Sequence, residues 1–384
     1  MKARLGDVCT VVSGSTPKST VPEYWDGDIK WITPAELSND TYIINDSARH
    51  ITALGVAKTG LKSFPAGTVI LSSRAPIGKT AIAGCEMFCN QGFKNLICSE
   101  KIDSKYLYYF LSGKTDYLNS LGRGATFKEI SKAIVENIEI PLPEVEEQKR
   151  IAACFERLLR LIQLQKAELE ELDKLVKSRF IELFGDPVTN PYGWQQLTVN
   201  DVCVSVVRGP FGSALKKEFF VPPSDTTYKV YEQKHAIQKS STIGTYYVTA
   251  EKYNELRRFE CHSGDILMSC SGTMGELYQL PAGCERGIIN QALCKFTLNE
   301  RILPIVFLAY MRETIGNLET KGSGIQNIAA VSYVKAMPIN LPPMRVQEQF
   351  ATFVEQADKS KLAVQKGLQE LEILKKSLMQ QYFG

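Results

Sequence analysis

The chain has 384 residues, of which 44% are hydrophobic and 23% charged, and its formal net charge is +3. This length exceeds that of a typical single domain, so two or more globular units are expected. The first residues contain no apolar signal-like segment, and no apolar run reaches the ~18 residues that a membrane span needs. We therefore predict a cytoplasmic protein with no membrane contact, whose nearly balanced charge neither requires nor excludes a nucleic-acid partner.

The first 145 residues predict a mixed α/β domain. The stretch GTVILSS (67–73) is apolar and follows a glycine, which is typical of a short buried strand. The stretch SKYLYYFLSG (104–113) has the spacing of an amphipathic helix, and NIEIPLP (137–143) indicates a strand closed by proline. The aromatic residues Tyr24, Trp25 and Trp31 are expected in the core of this domain.

A long helix is predicted next, over residues 146–185. From Phe155 to Leu183 its apolar or long side chains recur at alternating steps of three and four, the spacing of a heptad seam. Charged residues occupy the other positions, as on a solvated helix. The helix is expected to end at Phe184-Gly185.

The same order of signals then returns, which indicates an internal duplication. A second α/β domain is predicted over residues 186–343, with the strand GDILMSC (264–270) and the helix PIVFLAYMRE (304–313). A second long helix follows over 344–384 and also ends at Phe-Gly. The two long helices even begin alike, at LPEVEEQKRI and LPPMRVQEQF.

A helix of about 35 residues is about 50 Å long, more than a domain of ~150 residues can cover. Each seam is therefore expected to cover the other. The predicted fold comprises two internally duplicated α/β (α+β) domains joined by two long antiparallel coiled-coil helices with pseudo-two-fold symmetry. The predicted boundaries are 1–145, 146–185, 186–343 and 344–384.

No motif of this sequence predicts catalysis or cofactor binding. SSRAPIGKT (72–80) ends like a P-loop, but Ser73 replaces the first glycine and the second copy has Glu276 where the lysine stands. NPYG (190–193) lacks a proline of the target-base loop of amino-methyltransferases, and no glycine-rich cofactor loop precedes it. The ten cysteines form no CxxC pair and are expected to be buried free thiols, and three isolated histidines predict no metal site.

Several motifs, taken in order, resemble one family over effectively the whole chain. The motifs are Ser13-Gly14-Ser15-Thr16-Pro17, the aromatic stretch Tyr24 to Thr33, ILSSRAPIGKTAI (70–82), LPEVEEQKRI (142–151) and ELFGDPVTNPYGWQQLTVNDVC (182–203). Together they resemble the specificity subunit of Type I restriction-modification systems. The second domain departs from the pattern, because RGPFGSALKK (208–217) replaces Ser-Gly-x-Thr-Pro and no Trp-Ile-Thr follows.

The resemblance implies a non-catalytic subunit whose two target-recognition domains each read one half of a bipartite site on double-stranded DNA. It further implies that the paired helices set the spacer and dock two modification subunits, which use S-adenosylmethionine. Restriction subunits, which use ATP, would complete the assembly, so this chain itself needs no cofactor. The alternative is a catalytically inert coiled-coil adaptor that organises partner proteins without sequence-specific DNA binding.

Candidate DNA-binding residues lie on loops, because base edges are read by Arg, Lys, Asn and Gln, whereas Thr and backbone amides grip phosphate. In each domain, one glycine-flanked loop precedes the last strand. Glycine permits a close approach of the backbone to DNA. The alternative for each loop is a purely structural turn. The candidates are Arg74, Lys79, Arg123, Thr126, Lys128, Lys216, Lys217, Lys321, Gln326 and Asn327.

Overall fold

A computed structural model describes residues 2–38, 41–124, 128–315 and 331–384. The chain divides into two compact units, each of which contains one globular part and one end of each long helix. Unit 1 comprises residues 1–167 and 365–384, and unit 2 comprises residues 168–364. The four segment boundaries read from the sequence remain a prediction.

Unit 1 is a mixed α/β structure with three sheets in its described part. The sheets have the strand orders β2-β9-β6-β7-β4, β5-β3-β8 and β1-β10. The strands are β1 (Lys2–Arg4), β2 (Cys9–Ser13), β3 (Trp25–Ile32), β4 (Ile43–Ile44), β5 (Arg49–Ile51), β6 (Val69–Leu71), β7 (Thr80–Ala83), β8 (Phe88–Cys89), β9 (Lys94–Cys98) and β10 (Glu139–Pro141). The helices are α1 (Leu5–Val8), α2 (Ala53–Thr59), α3 (Ser104–Ser112), α4 (Thr115–Leu121), α5 (Lys132–Glu136) and α6 (Val145–Phe184).

Unit 2 repeats this plan with its own elements. The sheets have the orders β12-β19-β16-β17, β14-β13-β18-β15 and β11-β20. The strands are β11 (Gln195–Thr198), β12 (Cys203–Arg208), β13 (Thr227–Tyr231), β14 (Tyr247–Thr249), β15 (Glu260–Cys261), β16 (Ile266–Ser269), β17 (Leu277–Gln279), β18 (Gly287–Ile289), β19 (Leu293–Leu298) and β20 (Pro338–Leu341). The helices are α7 (Gln233–Ile237), α8 (Ala250–Glu255), α9 (Pro304–Ile315), α10 (Val331–Lys335) and α11 (Met344–Phe383).

The short apolar strands predicted from the sequence are central strands with cores on both faces. In β6, Val69 and Leu71 belong to the core under α3, whereas Ile70 belongs to a second core on the other face. In β16, Met268 and Leu267 divide in the same way between two cores. A strand buried on both faces carries a continuous apolar run, which is why these runs do not alternate with polar residues.

The antiparallel packing predicted for the long helices is present within each unit. In unit 1 the Phe383 ring stacks on Phe155 with centroids 5.7 Å apart, and Gly367 lies against the Gln165 side chain further along. Residue numbers increase along α6 in the direction in which they decrease along α11, so the two helices run antiparallel here. In unit 2 the helices pair in the same sense, because Phe350 contacts Phe184 and Lys361 pairs with Asp173 at 2.6 Å.

A buried glutamine at the start of each long helix explains why their opening sequences are alike. Gln148 is fully buried, accepts the Asp103 amide at 2.9 Å and donates to the carbonyls of Lys101 (3.0 Å) and Pro143 (2.8 Å). Gln347 repeats all three hydrogen bonds, with the Leu303 amide and the carbonyls of Arg301 and Pro342. Each glutamine fastens a long helix to the loop that starts α3 or α9.

The ten cysteines are all free, and most are at least half-buried, as predicted. Cys154 is the exception, because it lies on an exposed face of α6. The helical periodicity did not expose this error, since a small apolar residue is tolerated on a solvated face. In the described part of the chain, the longest helices are too polar to qualify as membrane spans.

Candidate nucleic-acid interface

The loop that contains Thr126 has a fixed base in unit 1. The Arg123 amide donates to the Glu129 carbonyl (3.0 Å) and the Glu129 amide donates back to the Arg123 carbonyl (2.9 Å). The Ile130 amide then donates to the Ser73 carbonyl at 3.0 Å, which attaches the loop to the end of the central sheet. Thr126 itself lies outside the described residues.

A buried lysine, Lys94, stabilises this base. The Lys94 side chain is 9% exposed, and its ammonium lies 3.1 Å from the Glu129 carboxylate and 3.3 Å from the Ser73 hydroxyl. A buried ammonium is costly unless it is paired and hydrogen-bonded, and these partners meet that need. Lys94 therefore links β9, the Ser73 segment and the loop. Sequence reasoning missed it, although a lysine at the first position of β9, directly after Phe93, was a signal.

Three of the predicted residues come together on this frame. Arg74 and Arg123 both pair with the backbone of Glu129 as isolated bridges, and Lys128 is its chain neighbour. Arg123 and Lys128 are exposed and Arg74 is half-buried. Within the described residues, none of the three side chains makes an ion pair. The result is a local excess of positive charge at the end of the sheet.

Lys79 behaves differently, because its ammonium donates to the Leu37 carbonyl. The half-buried side chain is thus committed to its own domain rather than held free above the loop. The sequence could not show this contact, since Leu37 lies 42 positions away.

The turn that imitates a P-loop is closed by its own serine. The Ser72 hydroxyl donates to the Pro76 carbonyl (2.7 Å) and accepts the Lys79 amide (2.9 Å), while the Gly78 amide donates to the Ser72 carbonyl. Unit 2 repeats the arrangement around Ser269, with the amides of Gly275 and Glu276. The amides of Gly78 and Lys79 in unit 1, and of Gly275 and Glu276 in unit 2, are thus hydrogen-bonded within their own turns.

The predicted residues of unit 2 are only partly described. Lys216 and Lys217 are exposed at a short turn, and Lys216 lies 3.6 Å from Glu218. Lys321, Gln326 and Asn327 lie outside the described residues. A buried arginine that the sequence analysis missed, Arg208, stands at the end of β12 with its guanidinium 4.9 Å from the centre of the Phe211 ring.

Unit 2 also buries charged groups that hold its sheets together. Lys229 is almost fully buried and pairs with Glu285 at 2.6 Å, and the Tyr247 hydroxyl donates to the same carboxylate at 2.9 Å. Burial alone would raise the pKa of Glu285, but the hydrogen bonds from Lys229 and Tyr247 outweigh it, so its pKa lies below the usual value.

A second buried pair, Lys295 with Asp265 at 3.4 Å, joins β19 to the turn before β16. The described residues contain no group of three or more His, Cys, Asp and Glu side chains placed to hold a metal ion. The Lys229–Glu285 and Lys295–Asp265 pairs each tie a strand of unit 2 to a turn.

The serine-closed turn and the glutamine anchor occur in both units, which defines the protein as an internally duplicated one. The chain belongs to the family of Type I restriction modification DNA specificity domains, whose model matches residues 1–174 and 191–373. The family match confirms the resemblance seen in the sequence.

Individual relatives agree with this membership. The chain is 40% identical over 201 residues to the Type I restriction enzyme MjaIX specificity subunit of Methanocaldococcus jannaschii, an alignment that covers 52% of this chain and 46% of that protein. It is 23% identical over 359 residues to the EcoKI specificity subunit of Escherichia coli K12, covering 85% and 76% of the two chains. The chain therefore spans about half the length of the relative MjaIX.

Solved structures show the same fold. A chain from a study of complex assembly and conformational transition of the type I R-M system superposes with a TM-score of 0.69 at 17% identity, covering 100% of this chain and 97% of that one. The crystal structure of the S subunit from M. genitalium superposes with a TM-score of 0.55 at 15% identity, covering 100% and 96%. Both comparisons bear out the predicted architecture of two mixed helix-and-sheet domains with long helices.

Proposed function

We propose that this chain is the DNA sequence-recognition subunit of a Type I restriction-modification complex and that each recognition domain reads one half of a bipartite site. The observation that carries the proposal is the cationic cluster of Arg74, Arg123 and Lys128, set on a hydrogen-bonded base at the end of a sheet. Direct readout requires long side chains held on a rigid support, and phosphate contacts require uncompensated positive charge.

Within the cluster, the three side chains take different roles. Arg123 carries an exposed guanidinium at the base of the loop, suited to bidentate contact with a guanine. Lys128, an exposed point charge, is suited to phosphate. Thr126, Lys216, Lys217, Lys321, Gln326 and Asn327 are proposed as further contacts. We give Lys79 only an indirect role, because its ammonium is bonded to the Leu37 carbonyl.

The remaining parts of the proposal concern partners. Two modification subunits dock on α6 and α11, these helices set the spacer, and restriction subunits complete a cytoplasmic assembly. The S-adenosylmethionine and ATP sites lie on those partners, and this chain has no catalytic site. Support comes from the specificity-subunit names of the relatives and from the neighbour studied in complex assembly of a type I R-M system.

Exchange of residues 1–145 for the same domain of a relative tests the proposal. The hybrid, expressed with modification subunits, should methylate sites in which one half has changed and the other has not. The matched exchange of residues 186–343 should alter the opposite half. If each exchange changed both halves, two independent readers would be the wrong description.

An electrophoretic mobility shift with random-sequence DNA, with and without modification subunits, distinguishes a DNA-recognition subunit from the adaptor alternative. A reader of DNA retards a subset of sequences when its partners are present. An adaptor leaves the retardation produced by the modification subunits alone unchanged. The family membership favours the first outcome.

A further inference from the structure

The turn Asn90-Gln91-Gly92, which lies between β8 and β9, borders the cationic cluster of unit 1. The Gly92 carbonyl accepts the Ser73 amide at 2.7 Å, and the Ser73 carbonyl in turn accepts the Ile130 amide. Arg74 follows Ser73 in the chain, and Ile130 follows the paired base of the loop. The turn therefore lies at the same end of the central sheet as the proposed DNA contacts.

Unit 2 contains the same turn at the same place, as Asn290-Gln291-Ala292. The Ala292 carbonyl accepts the Cys270 amide at 2.8 Å, which corresponds to the hydrogen bond between Gly92 and Ser73. In both turns the asparagine side chain accepts the amide two residues further on, at 2.8 Å in unit 1 and 3.1 Å in unit 2. The two units thus share this feature in sequence and in hydrogen bonding.

Two further contacts hold the backbone of each turn in place. The asparagine amide donates to a neighbouring strand, at the Ile32 carbonyl in unit 1 (3.0 Å) and the Tyr231 carbonyl in unit 2 (2.9 Å). In addition, a glycine follows β2 and β12, and a Cβ atom on Gly14 or Gly209 would overlap the asparagine carbonyl. Glycine allows this close approach of two backbones. Each turn is therefore a rigid support for the glutamine at its centre.

Each unit also places one buried cation next to this turn, but on different strands. In unit 1 the cation is Lys94 of β9, which stands opposite Ser13 of β2. In unit 2 it is Arg208 of β12, which stands opposite Cys294 of β19 and donates to the Gln291 carbonyl at 3.4 Å. Lys94 and Cys294 both come four positions after the asparagine, so the two cations belong to equivalent cross-strand pairs. Directly opposite residues point to the same face of a sheet, so each turn has a positive side chain at the same place.

The glutamine at the centre of each turn is exposed and keeps its hydrogen-bond donors. The Gln91 side-chain oxygen accepts the Thr16 hydroxyl. The corresponding residue of unit 2, two positions after the glycine, is Phe211, which has no hydroxyl, so support of Thr16 does not explain why both turns contain glutamine. Within the described residues, neither the main-chain amide nor the side-chain amide group of Gln91 or Gln291 donates a hydrogen bond.

We propose that the turns 90–92 and 290–292 each bind a phosphate of the DNA backbone, through the free donors of Gln91 and Gln291. The inference rests on the proposed function and adds to it a contact that is independent of base sequence. Glutamine side chains and backbone amides are common donors to DNA phosphates.

The duplication favours phosphate over a base as the ligand. Arg74 of the cationic cluster has Ser271 at the corresponding position of unit 2, so the cluster differs between the units. The glutamine turn is the same in both. Two domains that read different half-sites need different base contacts, whereas the phosphate backbone is common to every sequence.

The test measures how the full chain, assembled with its modification subunits, binds a pool of random-sequence duplexes. Sequencing of the bound fraction at several protein concentrations gives the overall affinity and the base preference in each half-site. Gln91→Met keeps the size of the side chain but removes its donors, and should weaken binding to all sequences about three- to tenfold. The base preference and the salt dependence should not change, because glutamine carries no charge and displaces no counterion. Gln291→Met should have the same effect.

Gln91→Glu places a carboxylate beside the phosphate and should weaken binding more than Gln91→Met does. Gln195→Met, at an exposed position of β11, is the matched control and should bind like the unaltered chain. Circular dichroism confirms that each variant is folded.

Two results would overturn the proposal. An altered preference at one base pair in Gln91→Met would make Gln91 a base contact, and an affinity equal to that of the control in both Gln91 variants would leave the turn without a DNA contact. Failure of the proposed function looks different, because the unaltered complex would then bind every sequence equally. The loss caused by Gln91→Met could still be measured on that binding, whereas a complex that binds no DNA at all would overturn both proposals.

Discussion

Removal of the Gln148 anchor is the most direct test of how a long helix is fastened to its domain. The substitution Gln148→Met keeps the length and volume of the side chain but removes its amide. The Asp103 amide and the carbonyls of Lys101 and Pro143 would lose their partner at a site with no solvent exposure.

Each buried backbone group left without a partner costs about 1–3 kcal/mol. Since three groups are affected and local relaxation satisfies part of the loss, we expect the free energy of unfolding to fall by about 3–4 kcal/mol. The loss should be local. Hydrogen exchange of the Asp103 amide, in the residue whose carboxylate caps the start of α3, should therefore accelerate more than exchange in unit 2.

Urea denaturation measures the total effect, and hydrogen exchange followed by mass spectrometry locates it. Gln163→Met, at an exposed position of the same helix, is the matched control and should change the free energy of unfolding by less than about 0.5 kcal/mol. Gln347→Met should repeat the destabilisation in unit 2, at the Leu303 amide. A loss below about 1 kcal/mol for Gln148→Met, with unchanged exchange at Asp103, would refute this account of the anchor.

Four further predictions concern the interface and the charged clusters. Lys128→Ala should weaken binding to all DNA sequences and reduce the slope of affinity against salt by about one. Arg123→Ala should instead relax the preference at one base pair by about 1–3 kcal/mol. Titrations at several salt concentrations distinguish the two variants, and equal effects would contradict these roles. Lys94→Met should lower DNA affinity through a looser loop, detectable as faster proteolysis near residue 124, and an unchanged loop would remove Lys94 from its supporting role. The depressed pKa of Glu285 gives stability that is present above its unfolded value of about 4.5 and lost as pH falls through its lower folded value. Glu285→Gln should therefore flatten the dependence of stability on pH below about 4.5, and parallel curves would contradict the assignment. A four-residue insertion between 164 and 172 adds about 6 Å of helix and should lengthen the preferred DNA spacer by one or two base pairs, while an active variant with an unchanged spacer would show that the helices do not set it.

Features that depend on neighbouring residues were predicted from the sequence. A long helix was predicted before each Phe-Gly, and the structure has α6 (Val145–Phe184) and α11 (Met344–Phe383) there. Heptad spacing and a terminal Phe-Gly are local signals, so no tertiary information was required. The order of repeated motifs likewise indicated the duplication and the family.

Other features became visible only in the tertiary structure. The sequence showed that Gln148 and Gln347 recur at the same place, but their partners lie 45 and 44 positions away. The same limit applies to Lys79, whose ammonium is taken by a carbonyl 42 positions distant, and to Lys94, whose partner Glu129 lies 35 positions away. A basic residue on a glycine-rich loop predicts a cation that is available to a ligand. Strand pairing, however, decides which carbonyl or carboxylate of the protein lies close enough to accept a hydrogen bond from it.

The sequence by itself therefore determined the elements and their duplication, because helical period, turn residues and repeats are local properties. Within the described residues, tertiary structure decided which cations form no ion pair. Arg123 and Lys128 are exposed beside the hydrogen-bonded base of the loop, whereas the ammonium groups of Lys79 and Lys94 make internal hydrogen bonds. The physical reason is that the free charge of a side chain depends on acceptors brought close by folding, and these acceptors come from distant segments of the chain.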